Sequence, residues 1–151
     1  MITLNLPTYD YRLKQNEDKS IAIWDATRRR YVTLTPEEWV RQHFVAFLTG
    51  HRGYPAGRIG NEISLQLNGR PRRCDTIVYG PTGDAIALVE YKAPHIAITQ
   101  EVFDQIVRYN MVYQVPYIIV SNGLVHYCCH IDYGTRQCTF LSEIPTYEQM
   151  L

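Results

Sequence analysis

The sequence predicts an α/β domain: a mixed central β-sheet flanked by helices, with an N-terminal β-hairpin. Three observations predict it. Strand-like and helical segments alternate in the order strands, helix, three strands, helix, two or three strands. The segment AIALVEYK, residues 85–92, is apolar on both faces, as a central strand is. The stretch TPEEWVRQHFVAFLTG carries both the start and the stop signals of a helix.

In order along the chain, YDYRLKQ and SIAIW have strand character, with the turn-like NEDK between them. Thr35 then suits a helix N-cap and Pro36 the first helical position, and Glu38 completes a capping box. Val40, Phe44, Phe47 and Leu48 fall on one helical stripe, and Gly50 suits the stop. A Gly/Pro-rich loop, HRGYPAGRIG, leads to EISLQL, which alternates as a half-buried strand does. RRCDTIVYG is the next strand, PTGD a turn, and AIALVEYK the strand after it. ITQEVFDQIVRYNMVY has helical spacing at Phe103, Ile106, Val107 and Asn110, with Thr99 as its cap. PYIIVSNG and LVHYCCHI follow as strands joined through Asn122-Gly123, a hairpin signal, and CTFL adds a last strand.

The 151 residues suffice for one domain with one sizeable core. The reading is a single domain over 1–151: a hairpin extension (1–33), a core (34–131) and a C-terminal tail (132–151). Hydrophobic residues at 46% and charged residues at 20% fit a soluble globular protein. No segment has the length and apolarity of a membrane span, and MITLNLPTYD lacks the features of a signal peptide, so a cytoplasmic location is expected. The fifteen basic and fifteen acidic residues balance, but from Arg52 to Arg73 five arginines face one acid, Glu62. Such a run suits phosphates. Arg28 to Arg30 read as a solvated turn. The four cysteines lack zinc-site spacing and read as reduced, buried thiols; no histidine pair has metal-site spacing.

The chemistry centres on Glu90 and Lys92. Residues two apart in a strand share a face, so the carboxylate and the ammonium project together. Taken alone, that is an ordinary ion pair at a strand end. Asp75, in the preceding strand, changes the weighing: if the two strands pair through the PTGD turn, the carboxylates of Asp75 and Glu90 approach each other. A divalent cation relieves their repulsion, and hard oxygen ligands suit Mg²⁺. Lys92 beside them would orient or help deprotonate a water and stabilise developing negative charge, the makings of phosphodiester hydrolysis.

Asp75 followed by Glu90-Tyr91-Lys92 resembles the PD-(D/E)xK nuclease pattern. With TPEEWVRQ, GNEISL, RRCDTIVY, LVEYKAP, FDQIVRYN and YIIVSNG in that order, the chain resembles the N-terminal nuclease domain of type I restriction enzyme R subunits from roughly Tyr9 to Ile131. The resemblance implies a restriction-endonuclease-like core and a Mg²⁺-dependent DNA endonuclease, with Mn²⁺ able to substitute. It implies Asp75 and Glu90 as metal ligands, with the Tyr91 carbonyl as a further one, and Lys92 as the catalytic lysine. Gln105 and Tyr109 match the family's Gln-x-x-x-Tyr feature, Gln105 positioning substrate and Tyr109 reaching DNA or bracing the site. Glu37 with Arg41 matches a helical Glu followed four residues later by Arg, a support for the metal or its water; an ordinary intrahelical ion pair explains it equally. In this reading Glu37 shares the stripe of Val40 and Phe44, while Glu38 points away. Arg70, Arg72 and Arg73 would contact backbone phosphates, which fixes register without reading sequence.

The sequence departs from the pattern at Cys74, where the superfamily name implies proline. These 151 residues hold no G-x-x-x-x-G-K-[ST] phosphate loop, so no ATP-driven translocation is expected of this polypeptide. DNA is the expected partner; a homodimer or other restriction-modification subunits would fit double-strand cleavage. The rival readings are a non-cleaving nucleic-acid-binding or assembly module on the same fold, and an unrelated α/β protein in which Glu90 and Lys92 are a surface pair.

Overall fold

A computed structural model describes residues 1–67 and 70–151, the side chains of residues 66–72 excepted. Among the described residues, nine strands build two sheets. β1 (Leu13–Gln15), β2 (Ile21–Asp25) and β3 (Arg30–Thr33) form an antiparallel meander. It contains the expected hairpin and adds a third strand. The larger sheet holds β4 (Ile59–Leu67), β5 (Arg70–Tyr79), β6 (Ala85–Tyr91), β7 (Tyr117–Ser121), β8 (His126–Asp132) and β9 (Gln137–Leu141), hydrogen-bonded in sequence order. Its β6–β7 pair is parallel and its other pairs are antiparallel, which makes the sheet mixed. A parallel pair needs a long crossover. Here that crossover carries helix α2 (Gln100–Asn110), while helix α1 (Pro36–His51) joins the meander to the large sheet.

Both helices begin where the sequence signals place them. The Thr35 hydroxyl accepts from the Glu38 N–H at 3.0 Å, and the Thr99 hydroxyl from the Val102 N–H at 3.2 Å. The end of α1 differs. Gly50 is helical, and the chain turns at Gly53 (φ +73°), with the Arg52 and Tyr54 N–H groups both returning to the Leu48 carbonyl. Glycine takes that left-handed backbone without strain. Helix α2 ends at Asn110, and residues 111–113 tighten into a 3₁₀ turn.

The two faces of the large sheet carry separate cores. Val40, Phe44 and Leu48 of α1 pack with Val78, Val89, Tyr91 and Ile119. Ile23 of the meander joins the same cluster. On the other side Phe103, Ile106 and Val107 of α2 cover Ile118, Val120 and Ile131. Leu88 lies away from α1, clustered with Ile77 and Val115. Strand alternation therefore puts Val89 and Tyr91 under α1, and Glu90 on the side of Leu88. Among the described residues no helix is long and apolar enough to cross a membrane.

Arg28 is not the solvated turn residue expected. It donates through Nε to Asp25 and through Nη2 to Glu38 at 2.8 Å. Asp25 is fully buried and also accepts from the Thr27 and Arg28 N–H groups. A buried carboxylate must be satisfied by such donors, and that need draws the arginine inward.

Candidate active site

The β5–β6 register runs Val78↔Ala87, Ile77↔Leu88, Thr76↔Val89. One further step brings Asp75 opposite Glu90. There the Asp75 carboxylate takes up the neighbouring strand's donor: its Oδ2 accepts from the Tyr91 N–H at 2.9 Å. Asp75 and Glu90 line one small recess together with Cys74, Leu88, Asn110 and Ile118. Lys92 lies one residue beyond β6, and its backbone N–H donates to the Ser121 carbonyl at 2.9 Å. The extended course thus continues through Lys92, and alternation keeps it on Glu90's side. The Lys92 ammonium is close enough to act on the Asp75 carboxylate electrostatically. Asp75 and Glu90 thus share one recess, and Lys92 follows on the adjoining strand end.

Burial pushes the Asp75 carboxyl above its ordinary value, and the nearby Glu62 adds to that rise. The Tyr91 N–H, Arg41 and Lys92 pull the other way without cancelling it. A carboxylate kept charged at such a place gains from a cation. Two carboxylates in one recess form a hard-oxygen donor set that fits Mg²⁺, which takes one or two carboxylates and retains waters. Among the described residues no three His, Cys, Asp or Glu side chains gather into a metal cluster. Backbone oxygen and water would complete the coordination.

Behind Asp75 stands a chain of charges whose pairing the sequence does not reveal. The Arg41 guanidinium donates from Nη1 to the Asp75 backbone carbonyl at 2.7 Å. It also grips both oxygens of Glu38 (Nε–Oε2 2.8 Å, Nη2–Oε1 2.9 Å) and reaches Glu62 Oε1 at 2.7 Å. Glu62 faces Asp75 across the β4–β5 register, between the pairs Asn61↔Thr76 and Ile63↔Cys74. Its φ of +57° is a left-handed backbone that a non-glycine residue adopts only at a cost. The second Glu62 oxygen pairs with Arg73 Nε at 3.0 Å, and the Arg73 side chain is 70% exposed. A parallel line runs from Asp25 through Asn61 and Thr76 to the Tyr91 hydroxyl (3.1, 2.7 and 2.9 Å).

This network corrects the reading of α1. Glu37 is exposed and Glu38 buried, the reverse of the expectation. Arg41 pairs with Glu38, three residues before it, and not with Glu37. Glu38 holds Arg28, Arg41 and Gln42 at once (the last at 2.9 Å). Three donors converging on that side outweigh the apolar stripe. Burial raises the Glu38 carboxyl, but these donors together hold it below its ordinary value. The Glu38–Arg41 spacing of three was visible as a helical pair; Arg28's arrival across the turn was not.

The other predicted residues are placed as follows. Gln105 and Tyr109 lie on the exposed side of α2, and the α2 residue lining the recess is Asn110. Its side-chain amide donates to the Ile106 carbonyl at 2.8 Å. Tyr91 contributes its N–H to Asp75 and its buried ring to the α1 core. Arg73 stands beside Glu62, whereas the side chains of Arg70 and Arg72 lie outside the described residues.

Residues 36–145 match the family described as Type I restriction enzyme R protein N terminus. The chain belongs to that family. In fold, this R-protein N-terminal domain is similar to a fragment assigned as an HsdR subunit of a type I restriction enzyme from Vibrio vulnificus YJ016. The TM-score is 0.54 at 20% identity, over 78% of this chain and 24% of that one. The likeness confirms the mixed α/β architecture, and the chain spans about a quarter of that relative's length. No curated protein matches.

Proposed function

We propose that this R-protein N-terminal domain is a Mg²⁺-dependent DNA endonuclease. The observation that carries the proposal is the pairing of Asp75 and Glu90 in one recess at the β5–β6 junction, with Lys92 near enough to act on the Asp75 carboxylate. Family membership makes a nuclease the natural occupant of that geometry.

The residues divide the work. Asp75, fixed by the Tyr91 N–H, and Glu90 opposite it would hold the cation. A divalent ion there supplies Lewis-acid polarisation of a phosphoryl oxygen and a more acidic water. The Lys92 ammonium stabilises negative charge that develops on the phosphate and can exchange a proton at Nζ. Arg73, largely exposed and anchored at its Nε by Glu62, would meet a backbone phosphate with its remaining donors. Gln105 and Tyr109, on the solvent side of α2, would contact DNA away from the reacting atoms. Other restriction-modification subunits, or a second copy, would be its partners in cutting both strands.

The test is incubation with supercoiled plasmid and Mg²⁺ or Mn²⁺, alongside Glu90→Ala and Lys92→Ala. Nicking by the unaltered protein and not by either variant supports the proposal. Equal nicking by all three, or none by any, defeats it.

A further inference from the structure

The position of Asp75 is specified from two sides. Tyr91 holds its carboxylate and Arg41 holds its backbone carbonyl. The strand that would ordinarily brace that carbonyl is distorted at this point: Glu62, opposite in register, has left-handed backbone torsion. Arg41 itself has little freedom. Its guanidinium is forked onto Glu38 and tied to Glu62, and the residue is 7% exposed. A planar fork with five donors can satisfy Glu38, Glu62 and a carbonyl together; a lysine ammonium, a compact point charge, cannot reproduce that geometry.

We propose that Arg41 is a positioning residue, whose grip on the Asp75 carbonyl aims the Asp75 carboxylate into the recess it shares with Glu90. The inference rests on the metal-binding reading of that recess. Arg41 touches neither substrate nor cation; it acts through Asp75, much as an outer-shell partner orients a metal ligand. Arg28 is the natural contrast. It grips the same Glu38, and its other partner is Asp25 of the meander rather than Asp75.

The experiment compares Arg41→Lys with Arg28→Lys in the full chain. Mg²⁺ affinity is measured by calorimetry, and exchange of the Tyr91 amide hydrogen by nuclear magnetic resonance. Arg41→Lys is expected to weaken Mg²⁺ binding by roughly tenfold to a hundredfold, the usual cost of losing an outer-shell partner. It is also expected to speed Tyr91 amide exchange, because the acceptor Oδ2 is no longer held in place. Arg28→Lys is expected to lower thermal stability while leaving both readouts near those of the unaltered protein. Equal losses in the two variants would reduce Arg41 to a fold-stabilising residue and overturn the inference. Unchanged readouts in Arg41→Lys would overturn it as well. If Arg41→Lys does not fold, Glu62→Gln decides: faster Tyr91 exchange at unchanged melting temperature supports the clamp, and unchanged exchange refutes it. Absence of Mg²⁺ binding by the unaltered protein would remove the metal-binding reading itself and this inference with it.

Discussion

The carboxylate of Asp75 accepts the backbone N–H of Tyr91 at 2.9 Å, so a side chain occupies the place of a sheet acceptor beside the residue that faces it, Glu90. Asparagine can keep that acceptor while giving up the charge. Asp75→Asn is therefore expected to fold and to lose Mg²⁺-dependent nicking by at least about a hundredfold. Plasmid nicking read beside a circular dichroism spectrum checks both halves of the expectation.

The same substitution has a consequence for stability. Burial raises the Asp75 carboxyl in the folded chain above its unfolded value. The folded state then binds the proton more tightly, so this group's contribution is fully favourable below the unfolded value and is lost as pH rises through the folded one. At neutral pH the charged Asp75 costs stability that asparagine does not. Without added metal, Asp75→Asn should melt higher than the unaltered protein at pH 7. The gap should close as pH falls into the ordinary aspartate range. A melting series across that range decides it; a variant melting lower at pH 7 would contradict the sign.

Glu38 and Asp25 behave oppositely. Burial raises both carboxyls, and hydrogen bonds from arginine and amide groups lower them further than burial lifts them. Their contribution is present above the unfolded carboxylate values and is lost as pH falls through the depressed folded ones. Acid unfolding monitored by fluorescence should therefore shift when Glu38→Gln removes one of the two groups, with the slope in the acid range reduced.

Adjacent glutamates give a sharper contrast. Glu38→Ala strands the arginines Arg28 and Arg41, and breaking such a buried pair costs about 3–5 kcal/mol. Glu37→Ala alters an exposed side chain and should stay within roughly 0.5 kcal/mol. Denaturant titration separates the two, and equal effects would mean that Glu38 is not the network's centre.

Much of this was legible before any coordinates. Thr35 and Thr99 announced both helices through their capping chemistry, and AIALVEYK announced the central strand through its apolarity on both faces. The PTGD turn was enough to bring Asp75 beside Glu90, because a hairpin turn fixes which residues face each other. Where the structure differs, each difference has its own cause. Periodicity favours Glu37 over Glu38 because it sees only neighbours on one helix, whereas Arg28 reaches Glu38 from a separate turn. Gly50 reads as a stop because glycine permits left-handed backbone, but at the end of α1 it is Gly53 that adopts it. Gln105 matched a pattern, yet the buried face of α2 presents Asn110 to the recess. Ion pairs between distant segments leave no periodic trace, so the support behind Asp75 could be found only in three dimensions.

The family likeness starts at residue 36, two positions ahead of Glu38, while the counter-charge Arg28 belongs to the meander that precedes it. A core excised at that seam would carry into its interior an acid stripped of one cation, and an Asn61 amide stripped of Asp25. The limit of sequence kinship and the limit of autonomous folding therefore need not coincide in this molecule, and the meander is better regarded as ballast that keeps the larger sheet and its helices upright than as a removable prefix.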